Sequence, residues 1–274
     1  MADNKTIPSQ KPDTKIPIME NVNVIEFLDI LRKNNVSEMK EFLDVLKQVS
    51  AMERQLDTAI SELANMRQQI AEAQKRYHPA KEAMQNSAIT MQGYVIDLRE
   101  RLEILKASII NGCKNVVDTF KEKGISALNN ILGFFKIKPS LESVQSCLNK
   151  AIEADNRFIA KIESISNEYH ETGRHLRNVG RAIVGKELIQ EAKPMGKIAK
   201  AFIAPCIIKL KCFKTMKSCT IKAMGSLNKL EKKATEHKPS VIGTMEKYAN
   251  QIAKQDTQDS ADIAKTTKSK KEER

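Results

Sequence analysis

Three apolar series that step by three and four residues, the first with Met52 and Met66 slightly off register, constrain this chain more than any other feature. The first runs Phe42, Leu46, Val49, Met52, Leu56, Ile60, Leu63, Met66 and Ile70. The second runs Met84, Ala88, Met91, Val95, Leu98, Leu102, Leu105 and Ile109, and Cys113, Val116 and Phe120 carry it on after one extra residue. The third runs from Val144 through Leu148, Ala151, Asp155, Phe158, Ile162, Ile165, Tyr169, Thr172, Leu176 and Val179 to Ile183. Such steps put every member on one face of a helix. Only Asp155 and Thr172 interrupt the third series, and a polar residue inside such a seam fixes register at some cost in stability. A lone helix cannot bury its stripe, so the stripes must pair within the chain or between chains.

Composition supports long helices. Ten glycines and eight prolines in 274 residues leave few breakers, and aromatics at 4% without tryptophan are scarcer than a compact enzyme core usually holds. The expected fold is all-α: an elongated bundle of three long antiparallel helices with coiled-coil-like seams, followed by a basic helical C-terminal segment. Helices of roughly forty residues would be rods about 60 Å long. A homo-oligomeric coiled coil is the alternative to an intramolecular bundle, and the same seams serve both.

Punctuation sets the boundaries. Residues 1–20 read as a disordered arm, polar and interrupted by proline, with no apolar stretch of signal-peptide length. The bundle spans 21–190. It opens with a short helix at 24–34, where Asn23 and Glu26 stand at capping-box spacing. Long helices are expected at 37–77, 79–123 and 140–186, with Pro79 closing the first, Gly124 the second, and Ser140 capping the third. A connector helix at 125–137 carries Phe134, Phe135 and Ile137, which read as a cover for the bundle end or as a small docking patch. Residues 191–255 form the basic amphipathic segment and 256–274 a disordered tail. No window is apolar for long enough to span a membrane, since AFIAPCII at 201–208 contains Pro205 and ends at Lys209.

Charge is concentrated. Residues 191–240 hold twelve lysines against three glutamates, most of the chain's net +12. Pro205 is expected to restart a helix reaching about 233. Ile208, Cys212, Met216, Cys219, Ala223, Leu227 and Leu230 lie along one side of it. Lys209, Lys211, Lys214, Lys217, Lys222 and Lys229 make the candidate anion or partner surface. A basic amphipathic helix reads three ways: a solvated face docked on the bundle, a phosphate-contacting face, or a face lying on anionic lipid. Because lysine is a point charge rather than a bidentate fork, nucleic-acid binding here would be nonspecific and salt-sensitive.

Familiar chemistry is harder to find. GRAIVGK at 180–186 has the spacing of a phosphate-binding loop, but Glu187 stands where a magnesium-binding hydroxyl belongs, and the string ends a helix instead of following a strand. A helix ending at Gly185 is the better account. His170 and His175 in HETGRH are five apart, so they cannot share a metal face as an i, i+4 pair does. The five cysteines have no C-x-x-C pair or even framework, and read as reduced thiols in a cytoplasmic protein. No catalytic, cofactor-binding or metal-ligating set is assigned, and no cofactor is expected. A polar, basic cluster at the end of the third helix (His170, Arg174, His175, Arg177, Asn178, Arg181 and Lys186) is either a solvated helix end or a docking surface.

FKEKGISALNNILGFFKIK at 120–138 and EYHETGRHLRNVGRAIVGKE at 168–187 resemble an uncharacterised all-helical family carried on integrative and conjugative elements of gut Firmicutes. The likeness covers about residues 20–190. It implies a cytoplasmic bacterial protein of a mobile element, often beginning near the position of Met19, and it brings no reaction or site residues. The leading expectation is a non-enzymatic accessory or scaffolding protein acting on a protein partner or by self-association. A nonspecific DNA-associated factor working through lysines 193–233, or peripheral membrane attachment through the same helix, is the alternative.

Overall fold

The computed structural model describes residues 15–73, 81–128, 135, 137–191 and 195–236. Among them there is no strand. A short 3-10 turn, Ile18–Glu20, leads into α1 (Val22–Lys33), α2 (Met39–Ala73), α3 (Lys81–Lys123), α4 (Ile137–Ile183) and α5 (Lys197–Glu236). The chain divides into two compact units after Leu230. Of the second, only 231–236 are described, within the last turns of α5. The buried apolar residues, from Ile18 to Leu230, all belong to the first unit.

The helix ends follow from backbone chemistry. Asn21, rather than Asn23, caps α1, its side chain accepting the Asn23 N–H at 3.1 Å. Asn35, at φ 50°, ends it in a left-handed cap: the Val36 N–H donates to the Leu31 carbonyl and the Asn35 N–H to Arg32. The same closure recurs at Gly185, φ +68°, where Lys186 N–H reaches the Arg181 carbonyl and Gly185 N–H reaches Ala182. The loop-like string GRAIVGK is therefore a helix C-terminus. α4 starts at Ile137, so Ser140 lies inside its first turn.

Side-chain contacts fix the directions. Cys147 of α4 meets Asp97 of α3, and Ser143 meets Arg101, so the numbers run oppositely and the pair is antiparallel. Met66 touches Cys206 and Met52 touches Thr220, which makes α5 antiparallel to α2. The core is built from the apolar seams. Nearly all of the first series is buried, with Ala59 inside and Ile60 partly covered, as is the second from Ala88 to Val116.

α5 is a fourth long helix rather than an appendage. Phe202, Cys206, Phe213, Met216, Ala223 and Leu227 all enter the core. Pro205 does not restart this helix but lies inside it. Its ring removes one hydrogen bond, and the packed turns on either side hold the helix through the gap. Of the seven residues that the 100° steps put on one side, six are buried and only Ile208 is exposed, while Phe213 and Thr220 widen the buried face.

Residues 16–20 are not part of an arm. Ile18 is fully buried, and the Lys106–Glu53 ion pair clamps this stretch. Lys106 donates to the Ile16 carbonyl at 3.0 Å, while Glu53 accepts the Ile18 N–H at 3.3 Å. Phe135 packs against Phe27 and Phe42, with centroids at 5.8 and 4.9 Å, over the space left by Gly112. With Ile137 buried as well, these two residues of the expected patch belong to the core. Phe134, the Pro79 hinge, residues 1–14 and residues 237–274 lie outside the described residues.

Candidate interaction surfaces

The exposed side of α5 carries Lys211, Lys214, Lys222 and Lys229, with Lys217 half-buried beside them. None of these five has an ion-pair partner among the described residues. Ile207, Ile208 and Ile221 are exposed on the same helix. Lys209 must be removed from this surface. Its side chain is 1% exposed and its Nζ lies 2.9 Å from Oδ1 of Asp155, which is equally buried. An ammonium in the core requires such a counter-ion, and Phe213 also presents its ring 5.9 Å away. Burial pushes the Asp155 carboxyl above its usual range, and Lys209 pulls against that shift. The polar interruption in the third seam is thus half of a buried pair joining α4 to α5. The clue was available: Lys209 sits three residues after Cys206 and four before Phe213, on the same helix face as both.

At the end of α4 the polar cluster does two things. Three members hold the connection to α5. Asn178 donates to the Ile189 carbonyl at 3.0 Å and accepts the Ile189 N–H at 2.7 Å. Arg174 donates to the same carbonyl, and Arg181 to that of Glu187. Arg174 is also tied to Glu171 at 2.7 Å. The other members stay outside this clasp. His170 lies against Tyr169 and near Gly196, His175 borders Glu171, Arg177 donates to the Gly173 carbonyl, and Lys186 is exposed.

On the other side of the same turns the apolar series continues, largely exposed. The buried residues of α4 end at Ser166. Beyond it Tyr169 is 61% exposed, Leu176 71%, Val179 61% and Ile183 80%. Sequence reasoning placed these in the core seam, because periodicity identifies a face without saying whether anything lies against it. Tyr169, His170, Thr172, Gly173, Leu176 and Arg177 line a shallow open depression there.

All five cysteines are free and buried. Burial pushes the Cys147 and Cys206 thiols up to about 12, and raises Cys113, Cys212 and Cys219 as well. Thiols so disfavoured as thiolates are poor nucleophiles and poor metal ligands. Among the described residues no cluster of three or more histidine, cysteine or acidic side chains is placed to hold a metal ion. Nor is any helix there long and apolar enough to cross a membrane.

A family model, that of a family of unknown function (DUF6674), matches residues 20–270. The chain belongs to that family. The DUF6674 match runs well past the stretch that carries the sequence likeness, and takes in α1 to α5 with the lysine face and the α4 end. No curated protein and no solved structure matches the chain.

Proposed function

We propose that this protein is a non-enzymatic scaffolding or accessory protein of a mobile genetic element, working in the cytoplasm through protein–protein contacts at the C-terminal end of α4. One observation carries the reading. An apolar stripe that is core in the first part of α4 lies open to solvent in its last turns, and contiguous exposed apolar surface of this kind marks interaction sites. The clasp formed by Arg174, Asn178 and Arg181 holds Glu187 and Ile189 on the polar side, and Leu176, Val179 and Ile183 stay exposed. The test is in-cell cross-linking of the tagged full chain beside a Leu176→Glu/Val179→Glu variant. The reading requires a defined cross-linked protein that the variant loses. Equal recovery by both would overturn it.

A second reading rests on the unpaired lysines of α5. It makes that face a nonspecific phosphate-binding surface for duplex DNA. Affinity should fall steeply across a salt series, and more weakly when Lys211, Lys214 and Lys222 are replaced by glutamine. An affinity indifferent to salt removes this reading. Binding to anionic vesicles but not to DNA would transfer the face to a membrane surface, which exposed Ile207, Ile208 and Ile221 suit.

A further inference from the structure

We infer that two copies of this chain pair through the last turns of α4, antiparallel, with Tyr169, Leu176, Val179 and Ile183 of each copy forming the seam. This rests on the α4 end being a docking surface, as proposed above, and names its occupant.

The repeat speaks first. From Ile165 to Ile183 the spacing stays strictly four and three, with no drift. That is the 3.5-residue period of a helix packed along its length against another helix, and it persists where the described chain offers none. Covering Tyr169, Leu176, Val179 and Ile183 would remove roughly 500 Å² from water on each copy, about 1,000 Å² in all, the size of a small, concentration-dependent interface.

Direction follows from the fold. The open face of the α4 end is the continuation of the face that, lower down, buries Leu148, Ala151 and Asp155 against the rest of the bundle. A parallel partner seated on it would bring its own bundle into the space this bundle occupies. An antiparallel partner enters from the free end, and the two bundles lie at opposite ends of the contact. One register uses the whole stripe: Ile165 against the partner's Ile183, Tyr169 against the partner's Val179, and Thr172 against the partner's Leu176.

The glycines fit this arrangement and have no other account. Gly173 and Gly180 are mid-helix, where glycine is unfavourable. An added Cβ would meet nothing at Gly180, and only the tip of Arg177 at 3.6 Å at Gly173. Neither has the positive φ that would demand glycine. Both lie on one edge of the stripe, where missing side chains let a second helix approach closely.

Sedimentation equilibrium of the full chain tests the pairing. A concentration-dependent dimer is expected, with Leu176→Glu raising the dissociation constant by at least about a hundredfold because it would bury an unpaired carboxylate. Leu176 is exposed in the single copy, so the variant should keep its helical circular dichroism. Orientation is read from cross-linking. Tyr169→Cys mixed with Val179→Cys should give an oxidised mixed dimer, and neither alone should. A wild-type chain monomeric at about 100 μM overturns the pairing, as does a dimer unaffected by Leu176→Glu. Tyr169→Cys cross-linking with itself overturns the antiparallel arrangement. If the chain is monomeric yet Leu176→Glu/Val179→Glu still loses a cross-linked protein in cells, the docking surface stands and its occupant is another protein. If nothing is lost, both fall.

Discussion

The two parts of α4 carry one repeat and live in different surroundings. Up to Ser166 the seam is buried, with Leu148 fully buried, Phe158 3% exposed and Ile162 2%. From Tyr169 onward the same spacing faces solvent. On the proposed reading, stability and recognition are separated along one helix. Mutations in the first part should be felt by the fold, and in the second by whatever the protein binds.

The largest effects should come from the buried part. Phe158→Ala is expected to cost about 3–5 kcal/mol by chemical denaturation, whereas Leu176→Ala in dilute protein should stay within about 0.5 kcal/mol. Equal costs would erase the distinction between the two regions. Of similar size is the loss from Lys209→Met, about 3–5 kcal/mol, since it strands Asp155 without its counter-ion. Adding Asp155→Leu should recover most of that, because a packed apolar pair needs no desolvation of charge. If the double variant is as unstable as the single one, the pair is not the reason Lys209 is buried.

Glycine substitutions sharpen the contrast with smaller numbers. A Cβ at Gly112 would run into the Phe135 ring, so Gly112→Ala should lower stability by about 1–3 kcal/mol. Gly180→Ala meets nothing and should raise the stability of dilute protein by about 0.5–1 kcal/mol. The smallest effect belongs to Asp97. Burial works to raise its pKa, but hydrogen bonds from Arg101 and Cys147 outweigh it and hold the carboxyl below its usual value. Its contribution is present above the ordinary value near ~3.9 and lost as pH falls through the lowered one. Asp97→Asn should therefore flatten the acid side of the stability profile, and an unchanged profile would discount that hydrogen-bond pair.

Much of this was legible in the residues. The second series reads off α3 almost position by position, and Gly124 and Gly185 stand where left-handed closures end helices. What spacing cannot express is the presence of a neighbour. Leu148 and Leu176 are equivalent members of one series, and only the extent of the surrounding helices makes one core and the other surface. Lys209 was misplaced for a related reason: side-chain type puts lysine outside, while its position between Cys206 and Phe213 puts it inside. The candidate cluster at the end of α4 was found, but its role as a clasp depends on Ile189 returning to Asn178, a contact eleven residues apart with no periodic signature.

The five buried thiols give the molecule a set of internal clocks. Cys113 sits on α3, Cys147 on α4, and Cys206, Cys212 and Cys219 along α5, so a slow thiol reagent reports how often each of these three helices leaves the core. Should the lysine-bearing helix detach alone, its three cysteines would be labelled together and well ahead of Cys113. Labelling of all five at one rate would instead mean that α3, α4 and α5 open only as a whole.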